Sequence, residues 1–151
     1  MTNTNDGENG HSEALEAAAA RRVELKGAVS AAEVAAARPF ARPDWQSNVL
    51  AALDDLRIAL SAHVEEVEAD DGLLAELTAQ APRLVNQINR VRDEHPALCS
   101  QVDATIASVT SNEESDKLRS EIVDLLMAIV RHRQKGADLV YEGYDVDIGG
   151  S

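Results

Sequence analysis

The feature that most constrains this chain is a four-three spacing of apolar residues in which a histidine three times takes the place of a core side chain. Steps of four and three keep residues on one stripe of a helix, because about 3.6 residues complete a turn. Between Trp45 and Ala69 the stripe reads Val49, Leu53, Leu56, Leu60, His63 and Val67. After Pro82 it reads Leu84, Ile88, Val91, His95, Leu98, Val102 and Ile106. From Ser115 it reads Leu118, Ile122, Leu125, Ile129 and His132, and Leu139 and Gly143 extend it past Gly136. Each stripe predicts a helix that buries one face, and each puts an imidazole in that face.

Hydrophobic residues make up 44% of the chain but aromatics only 3%. The apolar content is mostly Ala, Leu and Val, which suits packed helices rather than sandwiches. The expectation is an all-α protein, an up-and-down four-helix bundle. At 151 residues it is one domain with a tail. Residues 1–11 are polar and rich in Gly and Asn, so they are expected to be a disordered tail. Residues 12–38 are an alanine-rich helical segment, with Gly27 and a capping-box spacing at Ser30 and Glu33 suggesting a break into two pieces. Its stripe is mostly alanine, which suits packing on a protein partner or a second copy of the chain.

The prolines of Arg38-Pro39-Phe40-Ala41-Arg42-Pro43 mark a linker, after which Asp44 caps the next helix and the bundle is expected over residues 45–150. Asp70-Asp71-Gly72 is a turn signal, Leu73 to Gln80 a short helical piece, and Pro82 suits the first turn of a new helix. Pro96, directly after His95, is expected to kink or interrupt that helix. Ser111 and Glu114 offer a capping box to the last one.

A net charge of −13 and a pI near 4.6 argue against nucleic acid and anionic membrane as partners. The nearest basic cluster, Arg131, Arg133 and Lys135, reads as a solvated face. The single cysteine, Cys99, excludes an intramolecular disulfide and fits a reducing compartment. With no long apolar run and no hydrophobic leader in MTNTNDGENG, the expected location is cytoplasmic. No Gly-rich phosphate loop, HExxH, CxxC or GxSxG occurs, so neither a hydrolase nor a transferase is expected.

The heights of the histidines decide whether they meet. His63 lies 18 residues after Trp45, His95 lies 15 before Thr110, and His132 lies 17 after Ser115. If those helix ends share one end of a bundle, the imidazoles stand at roughly 27, 22 and 25 Å, within one turn of each other. This requires Leu73 to Gln80 to be a separate cap over the far end. Three imidazoles from three helices suit a divalent metal, usually completed by a carboxylate or water. Glu66, three after His63 on the same face, is the best-placed carboxylate, whereas Glu68 points away from that histidine. Cys99, four after His95, reads as a thiolate ligand or as a small buried hydrophobe. The alternative for the trio is a hydrogen-bonded polar layer that fixes helix register without metal.

A helical bundle with inward histidines, one in the pair Glu94-His95 followed by Leu98 and one in His132-Arg133-Gln134, resembles the hemerythrin-like, or HHE cation-binding, proteins over roughly Trp45 to Gly150. The resemblance implies a four-helix bundle holding two non-haem irons for oxygen binding, sensing or redox chemistry. Carried over by position are His63, His95 and His132, with Glu66 as a displaced carboxylate. The family's second ligands one turn further on are replaced by Val67, Cys99 and Gly136. The expected cofactor is therefore iron or another divalent metal at a reduced site, not a full di-iron centre. The competing expectation is a metal-free structural or protein-interaction bundle.

Overall fold

Ser12 opens the first helix by accepting a hydrogen bond at Oγ from the Leu15 N–H at 2.8 Å, satisfying one of the donors that a helix start leaves free. The structure, a computed structural model, describes residues 12–145. The expected tail over residues 1–11, with His11, and residues 146–150 of the expected bundle lie outside them. Among the described residues every regular element is helical: α1 (Glu13–Ala37), α2 (Trp45–Glu68), α3 (Leu73–Gln80), α4 (Val85–Thr110) and α5 (Ser115–Val140). A 3₁₀ turn, Pro82–Leu84, leads into α4, and a π-helical turn, Tyr141–Asp145, continues α5.

Contacts between helix ends fix the topology. At one end, the Gln46 side chain at the start of α2 donates to the Val109 carbonyl at the end of α4 at 2.8 Å. At that same end Arg119, early in α5, donates to the carbonyl of Arg38 just after α1 at 3.1 Å. At the other end Ser12 and Tyr144 both bond Glu76 of α3. The four long helices therefore alternate in direction, each packs on its chain neighbour, and α1 closes the ring against α5. This is a four-helix bundle whose far end is capped by α3.

The alanine-rich segment departs from expectation. It is one unbroken helix through Gly27, Ser30 and Glu33, and it is a wall of the bundle rather than an appendage. Leu25, Val29 and Ala32 are buried in the main core with Val49, Leu53 and Leu56 of α2. A glycine in a helix costs about 1 kcal/mol, less than the roughly 1.5–3 kcal/mol from burying one leucine, so packing overrides the break. The linker is a tight turn inside the bundle, held by the Phe40 and Trp45 rings at 4.6 Å.

Three further local expectations give way. α4 runs through Pro96 without interruption; the proline is exposed, so the Arg92 carbonyl that it leaves without a helical donor lies on the solvent side of the helix. Asp44 and Glu114 hold the N-cap positions of α2 and α5 but make no side-chain cap bond, and Asn112 turns the chain with a positive φ of 54°. Near the end of α4, Thr105 and Val109 are buried where the stripe names Ile106, which is only partly buried. A 3.6-residue helix drifts off a strict four-three seam, and the Thr105 hydroxyl is satisfied by the Gln101 carbonyl at 2.8 Å. Gly72 does need its missing side chain, since a Cβ there would overlap the carbonyls that end α2.

Space around Gly27 is open and its position is exposed. Gly27→Ala is expected to raise stability by about 0.5–1 kcal/mol. Leu25→Ala is expected to lower it by about 2–5 kcal/mol, and urea melts of the two variants check both. A neutral Leu25→Ala would remove α1 from the core.

Candidate metal centre

The stripes place His63 on α2, His95 on α4 and His132 on α5, and the bundle brings the three rings together. Centroids are 5.7 Å apart for His63 and His95, 5.8 Å for His63 and His132, and 4.9 Å for His95 and His132. Each ring offers a nitrogen, and these three atoms lie within 4.8 Å of one another. His95 and His132 are 1% and 3% exposed, while His63 is half-buried.

Two carboxylates orient the two buried rings from outside the layer. Glu68, at the end of α2, meets His95 Nδ1 at 2.5 Å, and Glu94 of α4 meets His132 Nδ1 at 2.7 Å through Oε1. The second oxygen of Glu94 takes an ion pair from Lys135. A carboxylate on Nδ1 fixes the proton there and leaves Nε2 with a lone pair. His95 Nε2 and His63 Nδ1 are buried with no hydrogen-bond partner. Buried ring nitrogens are seldom left so.

Electrostatics favour the neutral form of His63 and of His132. Burial, then the neighbouring His95 and His132, pushes His63 down to about 4. Burial also lowers His132, against the opposing pull of Glu94. Burial alone would raise the Glu94 carboxyl, but the hydrogen bonds from Lys135 and His132 together hold it below its ordinary value. Neutral imidazoles are the form that binds metal.

The carboxylates that bond the imidazoles are not the one the sequence offers as a metal ligand. Glu66 is half-buried and is not among the residues whose ligand atoms meet; Glu68 and Glu94 are the carboxylates that reach imidazoles. Spacing along one helix could not find them, because each bonds a histidine of the next helix. Their one signal is adjacency: Glu68 follows Val67 and Glu94 precedes His95, flanking positions that look sideways at a neighbouring helix. Cys99 packs against the main core, and burial raises its thiol, which favours the small hydrophobe over the thiolate. Of the basic cluster, Lys135 is held by Glu94.

Beside the rings lies a cavity of about 30 Å³, more than the ~10–15 Å³ one water-sized occupant needs. The rest of its wall is mostly apolar, with Val67, Leu74, Leu77, Val91 and Leu139, but Arg22 and Arg133 also line it. Compared with models of known families, with curated proteins and with solved structures, the chain matches none. No described helix is long and apolar enough to cross a membrane.

A histidine whose folded pKa lies below its unfolded value holds fewer protons than the unfolded chain, so stability is lost as pH falls. For His63 the window runs from about 6.5 down to about 4, and a shift of that size corresponds to at most about 3 kcal/mol. Metal-free His63→Leu is expected to gain on the wild type through this window. Melts at pH 7.5, 6 and 5 measure the difference; a constant gap would mean that His63 titrates normally.

Proposed function

We propose that this four-helix bundle binds one divalent transition metal through His63, His95 and His132, with Glu68 and Glu94 orienting the second and third imidazoles. The observation that carries this reading is the pair of buried, unpartnered nitrogens, His63 Nδ1 and His95 Nε2, in a layer where two rings are already fixed by carboxylates. Imidazole donors suit zinc, cobalt, nickel, copper or ferrous iron, and the carboxylate–histidine arrangement is the usual outer support of such ligands. With three protein ligands, a bound ion would keep a coordination position for water or a small ligand. When bound, the ion would supply Lewis acidity there.

The oxygen or redox role, with iron as the metal, is proposed only as far as the hemerythrin resemblance carries it. A di-iron centre forms no part of the proposal, since Val67, Cys99 and Gly136 stand one turn beyond the histidines. The second reading, a metal-free polar layer within a structural or protein-interaction bundle, is favoured by the same Glu68–His95 and Glu94–His132 bonds, which tie α2 to α4 and α4 to α5.

Titration of metal-free protein with Co²⁺ separates the two. The metal reading expects one ion per chain, loss of binding in His95→Ala and His132→Ala, and affinity about 10–100-fold weaker in Glu68→Ala. Binding is also expected to weaken from pH 7.5 to 5.5, because protons compete for the imidazoles. Absence of stoichiometric binding, with the melt indifferent to added ion, leaves the polar layer.

A further inference from the structure

The cavity beside the imidazoles owes one of its walls to a single short element. Leu73, Leu74 and Leu77 of α3 line it, whereas the long helices around it are anchored along 24 to 26 residues. An eight-residue helix has little stability of its own. It stays where it is through what it is tied to.

The ties converge on one carboxylate. Glu76 Oε2 accepts the Ser12 hydroxyl at 2.6 Å and also the Tyr144 hydroxyl. Burial, reinforced by Glu76, raises the Tyr144 phenol above its ordinary range, which keeps it a donor. Gly143 is buried, and a Cβ on it would overlap the end of the Leu77 side chain, so the Tyr141–Asp145 turn lies flat on α3. Arg83, just beyond α3, donates to the Glu142 carbonyl at 3.1 Å. Ser12, α3 and the turn after α5 thus meet at Glu76.

We propose that α3 is a lid over the histidine cavity and that the Tyr141–Asp145 turn is a strap holding it shut through Glu76, so that release of this clasp admits a small ligand to the imidazoles. The identity of that ligand as a metal ion rests on the reading above; the lid does not. Opening by α3 exposes the buried Leu73, Leu74 and Leu77, but as one short element it can open locally while α2, α4 and α5 keep their main core. The strap also gives a role to Leu139 to Asp145, the first part of a C-terminal string to which no motif attaches.

The test reads imidazole accessibility in metal-free protein. Diethyl pyrocarbonate labelling of His63, His95 and His132, resolved by peptide mass spectrometry, is expected to run about fivefold faster in Glu76→Gln and Tyr144→Phe, as loss of one hydrogen bond would give. Gly143→Ala, which lifts the strap from Leu77, should act in the same direction. Ile122→Val, a truncation at the other end of the core, controls for general loss of stability and should leave labelling unchanged. Hydrogen exchange should quicken in α3 and not in α2 or α4. With Co²⁺, binding and release should both accelerate while the equilibrium affinity stays the same. Unchanged labelling in the lid variants, or an equal rise in Ile122→Val, overturns the lid. A protein that takes no Co²⁺ overturns the metal reading alone, and the labelling still decides the lid.

Discussion

Three imidazoles gathered in one layer, two of them fully buried, are the constraint on which the rest of this structure depends. The layer divides the interior. On one side lie Leu60, Leu98 and Ile129 with the main core; on the other lie Val67, Val91 and Leu139 with the leucines of α3. Apolar side chains tolerate a slip of one helix past another, but a buried polar group without its partner costs on the order of 1–3 kcal/mol. The bonds from Glu68 to His95 and from Glu94 to His132 tie α2 to α4 and α4 to α5 at this one level.

The same layer is incompletely satisfied, and that is what makes it chemically informative. A polar layer serving register alone is most stable with every nitrogen bonded. Here the carboxylates serve the outer nitrogens of two rings and leave inner atoms facing each other. Burial and mutual proximity hold His63 and His132 toward the neutral form. The three rings lie beside a small cavity lined also by Arg22 and Arg133, inside a chain of net charge −13.

The end of the bundle is built differently from its middle. α1 contributes mainly small side chains, which let its backbone come close to α2, and its N-cap residue, Ser12, reaches Glu76 of α3. α3 crosses the open end as a short apolar cap because Gly72 permits the close approach of the α2 carbonyls. The chain after α5 then returns over that cap. A site in mid-bundle would be shut on all sides by long helices, whereas this one sits beneath the element with the fewest anchors.

What the sequence alone determined was the part governed by periodicity along one helix. The stripes through Leu53, Leu56 and Leu60, through Ile88, Val91 and Leu98, and through Ile122, Leu125 and Ile129 mark the buried faces, and counting residues from the helix ends put His63, His95 and His132 at one height. Local signals for helix ends fared less well: Gly27 and Pro96 lie inside unbroken helices, since tertiary packing outweighs a penalty of about 1–3 kcal/mol at a single position. Only the tertiary structure decided which helices are neighbours. That choice made α1 a wall of the core, paired Glu68 and Glu94 with histidines on the next long helix, and brought Tyr144 across the chain to Glu76. Those contacts join residues far apart in sequence, and one helix's periodicity carries no information about the rotation or identity of the helix beside it.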